Sequence, residues 1–268
     1  MTTAPAPSRM ELPRLSTATL LLIGLNVAVW LLQVASGVPP LHPASPTLIA
    51  WGGNLPLYSL TGDTWRLLTA MFLHGGALHL GLNMLALAFT ADRTEDEFGT
   101  ARMLVIYVAG GVLASCASVL WSEWHATPGN PTSLLRVSVG ASGAVMAQFG
   151  ALLVALVVTP PRFVPLPPEQ RPGVDPGLVL VVVANLAFGF FVRHVDQAAH
   201  VGGLLAGIAI GTLMAMVPAA TGARAALARH GAAALLATAC VGALLHFAPH
   251  ERLLALRAQW PWQQASTR

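Results

Sequence analysis

Charged residues fall at intervals along the chain, and the stretches between them are almost wholly apolar and close to the ~20 residues that a helix needs to cross a bilayer. This pattern predicts seven membrane-spanning helices, at about 15 to 35, 67 to 91, 103 to 122, 137 to 159, 177 to 192, 197 to 217 and 230 to 248. No Asp, Glu or Arg lies inside any of them. Only 9% of the residues are charged and the mean hydropathy is +0.66, against roughly 25% charged in soluble domains. An all-α polytopic membrane protein is the class this composition allows.

The first apolar stretch follows Arg9 and Arg14 as a signal peptide would, but at about 20 residues it exceeds the 7 to 15 of a cleaved apolar region, so a retained helix is expected. Lysine is absent, and arginine alone reports orientation. With the N-terminus inside, the cytoplasmic segments hold Arg9, Arg14, Arg93, Arg102, Arg162, Arg171, Arg224 and Arg229, eight against six on the other side. Leaving out the tail makes it eight against three, which favours a cytoplasmic N-terminus and an outer C-terminus.

The net charge of +3 and pI near 9.5 bring no basic cluster or stacking aromatic series with them, so no nucleic-acid partner is expected. Cys116 and Cys240 lie within predicted spans and imply neither a disulfide framework nor a metal site. Residues 36 to 64, rich in Pro and Gly and carrying Trp51 and Tyr58, are expected on the outer face and partly in the interface, where they would shape an entrance. The seven prolines of residues 159 to 177 make a stiff connector. The tail after 249, with Trp260 and Trp262, fits a short interfacial or disordered end.

Polar side chains inside spans are costly and call for a reason. The second span carries His74, His79 and Asn83, and the last two, four residues apart, share one helix face. Hydrogen bonds between helices account for them as well as chemistry does, at about 0.6 to 2 kcal/mol per bond. Metal ligation fits less well. His74 and His79 diverge by about 140° around a helix, and no Cys or carboxylate accompanies them in that span.

The second, fourth and sixth spans enter from the same side, whichever orientation holds. Ser142 stands six residues past Arg136, about 9 Å of helical rise, and His200 four past Asp196, about 6 Å. Their depths match. Gly203, Gly207 and Gly211 on one helix, and Gly143, Ala147 and Gly150 on the other, allow close approach of the two backbones. Each feature alone also fits small-residue packing, or anchoring of a histidine at the interface.

Together, Trp65-Arg66, His74-x4-His79-x3-Asn83, Glu95-x3-Gly99, Gly140-Ala141-Ser142-Gly143 and Ala199-His200-Val201-Gly202-Gly203 resemble the rhomboid intramembrane serine proteases over roughly residues 50 to 212. The resemblance implies a rhomboid-like six-helix catalytic core at 15–217, preceded by a cytoplasmic tail at 1–14. A linker and seventh helix follow at 218–248, and a tail at 249–268. It also implies Ser142 as nucleophile and His200 as its base, with His79, Asn83 and the Ser142 N–H as oxyanion stabilisers. His74, Gly140 and Gly143 would have supporting roles. Four residues past the serine the family often has an aromatic against the catalytic histidine, where this chain has Met146, a flexible apolar filler. Asp196 stays outside the dyad, as a solvated loop carboxylate.

The implied activity is endopeptidase cleavage of transmembrane protein substrates near the outer face, through an acyl-enzyme and without metal or cofactor. Small or helix-breaking residues are expected at the cut, since a regular helix hides its carbonyls. The implied setting is a bacterial plasma (inner) membrane, with the site open to the outer side. Two rival classes stand beside it: a catalytically silent rhomboid-like protein binding transmembrane clients, against which the Ser142 and His200 pair speaks, and a transporter or channel, which calls for charges within the spans.

Overall fold

The computed structural model describes residues 15–127, 129–158, 195–215, 222–248 and 250–259, together with the helical positions Leu180, Val183, Ala184 and Ala187. The N-terminal tail, the proline-rich connector and most of the predicted fifth span lie outside the described residues.

Helix α1 (Thr17–Ala35) starts where Ser16 caps it, its hydroxyl accepting from the Thr19 N–H at 3.1 Å. Three short helices follow: α2 (Ser45–Ala50), α3 (Pro56–Ser59) and α4 (Arg66–Thr69), the first two started by Pro at the first or second helical position. The long helices are α5 (Ala77–Phe98), α6 (Thr100–Trp124), α7 (Ser142–Val158), α8 (Gln197–Ala215) and α9 (Gly222–Phe247), and α10 (His250–Gln259) closes the series. By length and composition α1, α6 and α8 can each cross a bilayer alone. Two bent pairs bring the number to five, and α7, at 17 residues, is shorter. The described residues therefore account for only part of the predicted seven.

The predicted second span is not one helix. α4 and a 3-10 turn at Ala70–Phe72 meet α5 at 93°, because Leu73 is extended and Gly76 has φ +123°. His74 lies in that bend. Past the apolar stretch α5 continues to Phe98, and the Glu95 carboxylate accepts from Thr100 at 2.5 Å and from Ser16, tying the α5–α6 turn to the start of α1. The loop expected in the interface is instead largely folded inward: Leu55, Leu57, Tyr58 and Leu60 are buried with Leu67 and Val119. The tail also differs from expectation, since residues 250–259 form a helix whose Leu253 is wholly buried in the same cluster.

α7 is the central helix, packed against α5, α6 and α8. Its apolar side chains fill the core, with Met146 and Phe149 fully buried beside Leu87, Met103 and Tyr107. Toward α8 it packs backbone on backbone. A β-carbon on Gly203 would strike the Gly143 carbonyl oxygen, and one on Gly207 would strike that of Ala147. Leu20, Leu21, Leu25 and Leu32 of α1 point outward, an apolar surface suited to lipid.

Candidate active site

Ser142 is the first residue of α7, and the approach to it is not helical. Ser138 pairs with Asn54 in an isolated antiparallel bridge, its N–H donating to the Asn54 carbonyl at 2.8 Å and its carbonyl accepting in return at 3.0 Å. Gly140 then turns the chain with φ +125°, a left-handed conformation that favours glycine, and its N–H donates to the Ala70 carbonyl at 2.9 Å. The span predicted at 137 to 159 therefore begins as helix only at 142. The 9 Å of helical rise assigned between Arg136 and Ser142 does not exist.

His200 occupies the first turn of α8. Asp196 precedes that helix and caps it, one carboxylate oxygen accepting from the Ala199 N–H at 3.0 Å and the other from the Ser118 hydroxyl on α6. It is thus a structural cap rather than a solvated loop carboxylate. The His200 N–H donates to the Asp196 carbonyl at 3.2 Å, and the ring points to α7, its Nε2 lying 2.9 Å from the Ser142 Oγ. His200 is only 5% exposed. A hydroxyl and an imidazole in hydrogen-bond contact form the arrangement that activates a serine for attack on a carbonyl.

The second-span residues converge on the same turn. The Gly75 N–H donates to His79 Nδ1 at 3.1 Å, so a neutral His79 ring carries its proton on Nε2. That nitrogen is 2.9 Å from the position a Gly140 β-carbon would take, next to the Ser142 turn. Asn83, one helical turn further along α5, gives one amide N–H to the His79 carbonyl at 2.8 Å, and its nitrogen lies 3.9 Å from the same Gly140 position. The second N–H of that amide remains for another acceptor. His74 is set back in the bend, 1% exposed, its ring edge-on to His79 with centroids 5.3 Å apart. Gly143 packs against Ala114 and lets α8 close in. The structure thus brings Ser142, His200, His79, Asn83 and Gly140 together and places His74 behind them.

Ser118, which holds Asp196, and Asn54, which holds Ser138, carry no sequence signal of their role. Asp196 does: an aspartate immediately before an apolar helix reads as an N-cap. Among the described residues no group of three or more His, Cys, Asp or Glu could hold a metal ion.

The Rhomboid domain family matches residues 61–217, a stretch containing every member of this cluster. The chain is similar to Rhomboid protease AarA of Providencia stuartii, at 32% identity over 75% of this chain and 73% of that protein. It is similar also to Rhomboid protease GluP of Bacillus subtilis, at 32% over 71% of this chain but 33% of the relative, and to RHOMBOID-like protein 5 of Arabidopsis thaliana, at 37% over 66% and 53%. The chain therefore spans between about a third and three quarters of the length of these curated relatives. With its apolar helices, this is an integral membrane protein, and it belongs to the rhomboid family.

Proposed function

We propose that the chain is an intramembrane serine endopeptidase working through a Ser142–His200 dyad. The 2.9 Å contact between His200 Nε2 and Ser142 Oγ carries the reading. His200, neutral, takes the Ser142 proton as the hydroxyl oxygen bonds to the carbonyl carbon of the scissile peptide. Negative charge then develops on the carbonyl oxygen, where the Nε2–H of His79, the free amide N–H of Asn83 and the Ser142 N–H stand ready as donors. Collapse of this intermediate breaks the C–N bond, and His200 delivers its proton to the leaving amine. Water, deprotonated by His200, hydrolyses the resulting ester and restores Ser142.

The substrate is a transmembrane segment near its outer end, locally unwound so that a carbonyl can reach Ser142, within a bacterial plasma membrane. The eight-to-three arginine bias supports a cytoplasmic N-terminus and a site open to the outer side. The contact of α10, beyond the last predicted span, with α3, just after the first, puts these two segments on one side of the bilayer, whichever side that is.

The test is cleavage of a reporter transmembrane substrate in liposomes by the wild type, Ser142→Ala and His200→Ala. Cutting by the wild type and only background in both variants is expected. Equal cutting by Ser142→Ala ends the proposal, and a protein inert in every form supports the silent client-binding alternative.

A further inference from the structure

The C-terminal helix grips the loop that leads, bond by bond, to the nucleophile turn. On α10, Arg257 donates from Nη1 to the Thr61 carbonyl at 3.0 Å and to its hydroxyl at 2.8 Å. From Nη2 it reaches both Asp63 carboxylate oxygens, at 3.1 and 3.3 Å. Its guanidinium carbon also sits 4.5 Å from the centre of the Tyr58 ring. Leu253, one turn earlier, is fully buried against the same loop, so the helix is docked by packing as well as charge.

Asp63 is shared. Its Oδ2 also accepts from Arg66 Nε at 3.1 Å, and Arg66 in turn donates from Nη1 to the Ile49 carbonyl at 2.6 Å and the Gly53 carbonyl at 3.2 Å. The next residue, Asn54, is the one whose backbone is bridged to Ser138, two residues before Gly140 and four before Ser142. Arg257 and Asp63 are mostly shielded, with side chains 21% and 23% exposed, and a shielded charge pair that shares a carboxylate loses more on breaking than a surface pair does.

We infer that Arg257 is a positioning residue for the site: by fixing Asp63 and hence Arg66, it holds residues 49–54 and, through the Asn54–Ser138 bridge, the turn that presents Ser142 to His200. The inference rests on the protease reading for its catalytic half. Its structural half, the coupling of α10 to residues 136–141, does not depend on activity.

Both halves are measured on the full chain in detergent micelles, as amide hydrogen exchange of the peptides covering 47–54 and 136–141, and as kcat and KM on the reporter substrate. For Arg257→Gln, exchange is expected to rise severalfold in both segments, and kcat to fall about tenfold with KM within about twofold, since small displacements of reacting groups are expensive in rate. Arg257→Lys keeps a charge that reaches Thr61 or Asp63 but not both, and is expected to recover part of kcat. Thr61→Ser, which keeps the hydroxyl's bonds to Arg257 and to the Leu57 carbonyl, is expected to match the wild type, whereas Thr61→Val, which removes both and leaves Asp63 paired, should show the same changes as Arg257→Gln at smaller size and serves if that variant does not fold. Unchanged exchange at 136–141 in a folded variant overturns the inference, and so does unchanged kcat where the wild type cuts. If the wild type does not cut, the protease reading fails, and raised exchange at 136–141 still supports the coupling.

Discussion

His79 Nε2 lies 2.9 Å from the point where a β-carbon on Gly140 would sit, so the glycine turn and the imidazole fit only because position 140 ends in hydrogen. The same contact places a nitrogen, protonated in the neutral ring, beside the turn that carries Ser142. Gly140→Ala collides with that ring and forces a side chain into a φ of +125°. Loss of at least about 100-fold in kcat is expected, with the α-helical circular dichroism retained, since misplacing reacting groups by about 1 Å is enough for that.

Asn83→Ala removes a donor proposed for the oxyanion and leaves α5 intact. A fall of about 100-fold to 1000-fold in kcat is expected, the usual effect of losing one such donor, with the thermal unfolding midpoint near that of the wild type. A variant with full kcat would take Asn83 out of the oxyanion role and return it to holding the His79 carbonyl.

Asp196 separates a dyad from a triad. As an N-cap it is replaceable by asparagine, which caps nearly as well, whereas alanine gives up about 1 kcal/mol of helix stability. Asp196→Asn is expected to keep most of kcat and Asp196→Ala to lower the unfolding midpoint. Near-complete inactivation by asparagine in a well-folded protein would show that the carboxylate charge acts on His200.

Gly207→Val puts a β-carbon 1.9 Å from the Ala147 carbonyl oxygen, with two methyl groups added to it, and forces α7 and α8 apart, while Gly242→Ala on α9 meets no atom within 4 Å. Overpacking of this kind costs about 1–3 kcal/mol or more. A clear drop in unfolding midpoint and in cleavage is expected for Gly207→Val, and neither for Gly242→Ala, when the two are compared by thermal unfolding in one detergent.

Much of the site is legible from spacing. His79 and Asn83 share a face by helical period, and Ser142 and His200 stand near the starts of helices that enter from one side. The glycines of α8 lie where the α7 backbone approaches, as their three- and four-residue steps predict. Two readings failed for one reason. Apolar tracts at 67–91 and 137–159 read as single helices because hydropathy does not register backbone direction, yet Gly76 and Gly140 turn the chain inside each. The second turn is what aims Ser142.

The amino-acid sequence was sufficient for a polytopic helical membrane protein and for the residue types available for chemistry, because these follow from apolar length and short-range spacing, and for the family through the resemblance of its motifs. Only the folded arrangement supplies the 2.9 Å approach of His200 to Ser142, the bond from Ser118 on α6 to Asp196, and the grip of Arg257 on Thr61, 196 positions away. Contacts between residues so far apart depend on how helices tilt and pack on one another, and no local pattern along the chain encodes that geometry.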